Sequence, residues 1–192
     1  MGNDEVLPPE ADAAAKRDDL QIFDSVQAVE RRYSWTPYIP ARCVTLVQGD
    51  PQTGKSTVVR AIAAALSNGS PLPPDNEQRE PMRVLYQNAE DDFTSVIVPH
   101  LKTLGANMGN FARINEDHAP LFFCDERIEE YIERFQPRLV VFDTLQRYAG
   151  GKVNLNDLTA VTALFDYLTG IAKRYDCSIV VVSHLNKQDV RP

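Results

Sequence analysis

Gly49-Asp50-Pro51-Gln52-Thr53-Gly54-Lys55-Ser56 has the spacing G-x-x-x-x-G-K-[ST], and Thr57 follows it. That combination suits polyphosphate. Backbone N–H groups of such a loop point inward, and the helix it opens carries partial positive charge at its N-terminus. Gly49 and Gly54 let the backbone curl without Cβ clashes. Lys55 is placed to reach β and γ phosphates as a point charge, Ser56 to offer its hydroxyl to Mg²⁺, and Thr57 to donate to an α phosphate. A plain glycine turn opening a helix accounts for the glycines but not for Gly-Lys-Ser-Thr together.

Three later apolar runs end in polar residues suited to chemistry beside such a loop. Leu139-Val140-Val141-Phe142 is followed by Asp143, the form of a Walker B carboxylate that holds Mg²⁺ through water. The plainer alternative is an Asp capping the next segment. Val84-Leu85-Tyr86-Gln87-Asn88-Ala89 leads into Glu90, Asp91 and Asp92. One of these acids can polarise an attacking water; Glu90 lies nearest the strand end and has the longer reach. Asp91 or Asp92 makes a sound N-cap for the helix that follows. Ile179-Val180-Val181-Val182 ends in Ser183 and His184, where His184 can hydrogen-bond a γ-phosphate and report its loss; the bland alternative is a loop histidine. His100 and His118 receive no role.

The elements that must position these groups alternate. A β run at 43–47 leads through the glycine loop into a helix at 54–66. A second run spans 84–87, and a helical stretch starts near Asp92, is interrupted by Pro99 and stops at Gly105. A short strand is expected at 111–114, a helix at 125–135, a strand at 139–142, a helix at 156–174 and a closing strand at 179–182. The helix stripes are Ile128, Tyr131, Ile132, Phe135 and then Leu158, Val161, Leu164, Phe165, Leu168, Ile171. Strands that are apolar throughout, alternating with helices, predict an α/β fold: a mostly parallel sheet with helices on both faces. Gly69 to Pro81 reads as the main internal loop. Residues 1–19 read as a disordered leader. Residues 20–40, dense in aromatic and aliphatic side chains, are expected to pack on the main domain, which then spans 20–192.

The chain has 192 residues, 43% apolar and 24% charged, the balance of one globular domain. Its net charge is −7, and residues 1–40 carry 8 acids against 4 bases, so most of the excess sits in the leader. No dense basic run marks a stand-alone nucleic-acid module, although a ring of subunits can gather scattered bases around a pore. Cys43, Cys124 and Cys177 form no C-x-x-C pair and are expected to be free thiols in a reducing compartment. Apolar runs are far shorter than the roughly 20 residues of a membrane span. The acidic opening does not read as a secretory signal, and a cytoplasmic location without membrane contact is expected.

The cradle GDPQTGKST, followed by a Pro-rich loop, VLYQNAEDD, LVVFDTLQRY and IVVVSHLNK, resembles the RecA-like P-loop ATPases. Within them the chain is most similar to the branch typified by the plasmid-replication helicase RepA, over roughly Trp35 to Lys187. The resemblance implies a RecA-like sheet and a cradle, Gly49 to Thr57, that binds ATP. It implies Lys55 and Ser56 serving ATP and Mg²⁺, Asp143 as the Walker B acid, Glu90 as the water-activating carboxylate and His184 as the γ-phosphate sensor. It implies homo-oligomeric rings that act on single-stranded DNA and receive a neighbour's arginine at the site. Gln52 stands where the branch often has Gly, tolerable if that position needs no positive φ. The sequence ends at Pro192, where the family usually continues with further strands, so a fragment or a reduced member is expected. Arg147, Lys152, Lys187 and Arg191 are the remaining cationic candidates.

The leading expectation is therefore a Mg²⁺-dependent ATPase acting in DNA replication, recombination or repair. A nucleotide-gated binding module with little hydrolysis is the alternative. A small-molecule P-loop kinase fits less well, since no arginine-rich lid is visible. Tyr33, Trp35 or Arg60 are candidates for contacting the adenine.

Overall fold

The computed structural model describes residues 21–151 and 153–184. The leader expected at 1–19 lies outside the described residues, as do Lys152, Lys187 and Arg191. The chain divides into two compact units, Met1–Glu30 and Arg31–Pro192. The described part of the first unit contains one 3-10 turn, Phe23–Ser25, with Ile22, Phe23 and Val26 exposed. Within the second unit, residues 31–40 of the stretch expected to pack do so: Arg32 pairs with Asp176 and Ile39 is buried.

The second unit opens with a small antiparallel pair, Tyr33–Trp35 (β1) and Ile39–Pro40 (β2). Ile39 is buried and Trp35 packs beside it. The main sheet has five strands: Val44–Gly49 (β3), Val84–Asn88 (β4), Phe111–Ala112 (β5), Leu139–Asp143 (β6) and Ser178–His184 (β7). Their order is β3-β7-β6-β4-β5, and every neighbouring pair is parallel. Five α-helices lie among the described residues of the unit: Lys55–Asn68 (α1), Val98–Thr103 (α2), Glu126–Phe135 (α3), Leu145–Ala149 (α4) and Leu158–Arg174 (α5). The expected α/β class is the observed one.

Strand residues alternate between two cores because successive side chains point to opposite faces. Val84, Tyr86, Leu139, Val141, Val180 and Val182 meet Val59, Ile62, Ala63 and Leu66 of α1 and Leu101 of α2. Leu85, Val140, Phe142, Ile179 and Val181 meet Ile128 and Ile132 of α3, Tyr148 of α4, and Leu164 and Leu168 of α5. Fully burying each such aliphatic side chain contributes roughly 1.5–3 kcal/mol.

Three local expectations are corrected. The strand expected at 111–114 stops at Ala112, because the Gln87 side chain takes over at Ile114. Its Oε1 accepts the Ile114 N–H at 2.6 Å, and its Nε2 donates to the Ile114 carbonyl at 3.3 Å. Pro99 does not interrupt a helix. It lies in the first turn of α2, after a π-helical turn at Phe93–Ile97, where a missing N–H costs nothing. Leu158 leaves the α5 stripe: it is the first helical residue and is exposed, ahead of the turns that pack.

Candidate active site

Parallel strands bring the polar strand ends to one end of the sheet, in two levels. Gly49 is level with His184, and Asn88 and Asp143 are level with Val182, two residues short of it. The loop leaving β3 lies at this end of the sheet. Gly54, at φ +82°, is the N-cap of α1 and occupies the left-handed region that glycine enters at little cost. Gly49 has no such need, since a Cβ there meets Thr53 Oγ1 and Lys55 Cδ at ordinary contact distances of 3.5 and 3.6 Å. Gln52 is the unexpected member, with φ +62°. The position does require a positive φ, and a side chain with Cβ bears the strain a glycine would relieve.

The loop defines a cleft of about 480 Å³, lined by residues 51–57 with Arg60, Glu90, Asp91 and His184. Lys55 is 9% exposed, and its Nζ donates to the Asp50 carbonyl at 2.6 Å. The same carbonyl accepts from Thr53 Oγ1 at 2.8 Å. Asp50 therefore shapes the loop through its backbone oxygen.

At the floor, Ser56 Oγ donates to Asp143 Oδ1 at 3.0 Å. The other carboxylate oxygen accepts from Tyr86 OH at 3.2 Å and Asn88 Nδ2 at 3.1 Å. Asp143 is fully buried. Burial raises its pKa; the hydrogen bonds from Ser56, Asn88 and Tyr86 and the charge of Arg60 oppose that rise without cancelling it. Burial, and the neighbouring Asp143 charge, also push the Tyr86 phenol well up, so it stays a donor. A hydroxyl and a carboxylate converging beside a phosphate cradle are hard oxygen donors of the kind Mg²⁺ takes, and the residues present fit that ion.

The three acids after β4 divide into separate tasks. Asp92 is the N-cap, accepting from Ser95 N at 2.6 Å. Asp91 pairs with Arg60. Glu90 turns toward the sheet ends, where its Oε1 accepts from Thr144 Oγ1 at 3.0 Å and lies 3.4 Å from His184 Nε2. Asn88 Oδ1 holds the turn by accepting from the N–H groups of Glu90 at 3.1 Å and Asp91 at 2.8 Å.

His184 is steadied through its backbone by Gln146, which donates from Nε2 to the His184 carbonyl at 2.9 Å and to Ser183 Oγ at 3.1 Å. Its Nδ1 is buried with no hydrogen-bond partner among the described residues. The structure thus gathers Gly49, Asp50, Pro51, Gln52, Thr53, Gly54, Lys55, Ser56, Thr57, Glu90, Asp143 and His184 at one end of the sheet.

Sequence reasoning passed over Tyr86, Asn88, Thr144 and Gln146. Asn88 carried a readable signal, since it ends a strand just as Asp143 does, but attention went to the acids. Arg60 is corrected: it is 5% exposed and bound to three protein partners, not free for a base. Trp35 donates from Nε1 to the Pro73 carbonyl at 2.6 Å and lines a separate apolar pocket. Tyr33 lines another hollow, beside Arg79 and Arg138. Of the four cationic candidates, Arg147 alone is described; it is exposed on α4.

Sheet, cradle and strand-end carboxylate together define a RecA-like P-loop ATPase. The family model described as AAA domain matches residues 10–190, and the chain belongs to that family. Among curated proteins it is similar to DNA repair protein RadA of Mycobacterium tuberculosis, 24% identical over 146 residues, covering 75% of this chain and 27% of that protein. It is also similar to DNA repair protein RadA of Listeria monocytogenes, 26% identical over 155 residues, covering 76% and 28%. The chain spans just over a quarter of the length of these relatives. No helix among the described residues is long and apolar enough to cross a membrane.

Proposed function

We propose that the chain is a Mg²⁺-dependent ATPase that binds ATP in the 49–57 loop and hydrolyses it during DNA repair, recombination or replication, as a RepA-type, helicase-like engine. The observation that carries the reading is Ser56 Oγ at 3.0 Å from Asp143, beside the buried Lys55. Ser56 and Asp143 would hold the ion, which when bound supplies positive charge to the β- and γ-phosphate oxygens. Lys55 exchanges the Asp50 carbonyl for phosphate oxygen. Glu90 orients a water and accepts its proton. His184, in contact with Glu90, is placed to sense whether the γ-phosphate is present. The relatives' description as DNA repair proteins supports a DNA-linked role, and the same reading extends to single-stranded DNA and a homo-oligomeric ring as partners.

Phosphate release by the purified chain, with and without Mg²⁺ and single-stranded DNA, tests this. Turnover that needs Mg²⁺, rises with DNA and vanishes in Lys55→Ala is expected. Absence of turnover in every condition overturns it.

One observation favours a nucleotide-gated binding module instead. Lys55 and Arg60 are the Lys and Arg side chains among the described residues of the cleft, and both already bind the chain's own acceptors. Nucleotide affinity without turnover, unaffected by DNA, would favour the module.

A further inference from the structure

Arg60 lies on α1, just beyond the cradle, and its guanidinium reaches three separate elements. Nε donates to Tyr86 OH on β4 at 3.3 Å, one nitrogen lies 3.3 Å from His100 Nδ1 on α2, and another pairs with Asp91 in the acidic turn. The Arg60 side chain is 6% exposed, whereas that of Asp91 is 40% exposed. A guanidinium is always charged and presents its donors in a rigid planar fork, so it fixes the mutual positions of whatever it binds. Burial opposes its charge, and the bonds to Tyr86 and Asp91 outweigh that opposition.

Two of these three partners bear on the geometry of the site. Tyr86 passes the contact to Asp143 through its own hydroxyl at 3.2 Å. Asp91 adjoins Glu90, and the turn carrying both is also held by Asn88 from the strand side and, at the Glu90 side chain, by Thr144. Arg60 is the tie from the cradle helix, which also carries Lys55 and Ser56.

We propose that Arg60 is a positioning residue that locks the Glu90-bearing turn to the cradle helix through Asp91 and steadies Asp143 through Tyr86. This rests on the roles given above to Glu90 and Asp143. A misplacement of about 1 Å can cost on the order of 100-fold in rate, so loss of this tie acts on turnover before it acts on nucleotide binding.

Arg60→Met and Asp91→Ala each lower kcat by about 10- to 100-fold, with KM for ATP within about threefold of wild type. Alanine leaves no acceptor for the guanidinium, whereas Asp91→Asn keeps one. The double variant is no slower than the worse single one, because both remove the Arg60–Asp91 tie. A wild-type kcat in folded Asp91→Ala, a loss confined to KM, or multiplying effects in the double variant overturns the proposal. Asp91→Ala alters a half-exposed side chain and keeps the test decisive if Arg60→Met fails to fold. Hydrogen exchange reads the turn without turnover: the Glu90 and Asp91 amides exchange at least about tenfold faster in Asp91→Ala at unchanged global stability. Unchanged exchange there overturns the proposal. A wild-type chain that hydrolyses no ATP refutes the ATPase reading, while the exchange result still decides the tie.

Discussion

The Ser56 hydroxyl donates to the Asp143 carboxylate at 3.0 Å, joining the first turn of α1 to the end of β6 across 87 positions of sequence. The carboxylate is buried, and burial raises its pKa above the ordinary 3.8. A raised acid favours the fold most below its ordinary pKa, and that benefit is lost as pH rises through the folded value. A charged Asp143 is thus held at the fold's expense.

Asp143→Asn removes that expense. The amide oxygen can still accept from Tyr86 and Asn88, and its nitrogen can donate to Ser56 Oγ. The melting temperature should rise by about 2–4 °C, on the order of 1 kcal/mol for a domain of this size. Mg²⁺-dependent phosphate release should fall at least about 100-fold. Calorimetric melting alongside a phosphate assay checks both; a lower melting temperature would contradict the reading of the buried charge.

Under the proposed function, Glu90 and Lys55 would separate chemistry from capture. Glu90→Gln keeps the hydrogen bond from Thr144 but has no carboxylate to take a proton. Binding of Mg-ATP should persist and turnover should fall by about 10²–10⁴-fold. Lys55→Ala should instead abolish binding, as titration calorimetry would show. Wild-type turnover in Glu90→Gln would assign the base elsewhere.

Gln52 sits at φ +62°. A residue with Cβ bears about 1–2 kcal/mol in that region, and glycine gives part of the relief back as extra unfolded-chain entropy. Gln52→Gly should therefore stabilise the chain by about 0.5–1 kcal/mol in urea melts and leave nucleotide affinity within about twofold. Destabilisation would mean that the Gln52 side chain makes up for its backbone.

Asp176 accepts from Arg138 at 2.6 Å and Arg32 at 2.7 Å. Desolvation pushes its pKa up, but the hydrogen bonds and charges of Arg138 and Arg32 prevail and hold it below 3.8. A depressed acid contributes stability above its ordinary pKa and loses it as pH falls through the folded value. Asp176→Asn should cost about 0.5–1 kcal/mol at pH 7, a modest figure because the groups are largely exposed. The difference from wild type should narrow as pH falls below the ordinary 3.8 and through the lower folded value. Urea melts at pH 7 and across the acid range measure it.

Much of the architecture was legible because it depends on period and punctuation. Leu139 to Phe142 and Ile179 to Val182 are apolar throughout because they are covered on both faces, and their polar ends meet at one end of the sheet because the strands are parallel, with Asp143 level with Val182 and His184 two residues beyond. Side-chain networks were not legible in this way. Nothing local marks Arg60 as buried; its partners Tyr86, Asp91 and His100 lie 26 to 40 positions away and meet it through the fold alone. Gln87 cutting short the strand at Ala112, and Trp35 turning away to Pro73, are likewise tertiary events.

Lys55 rests on the Asp50 carbonyl at 2.6 Å, so its ammonium has an acceptor of its own within the loop. Under the proposed function, an arriving phosphate oxygen would displace a neutral carbonyl with a charged acceptor, the stronger partner for a cation. On release, the carbonyl would take the ammonium back, so the empty cradle would keep its shape for the next nucleotide.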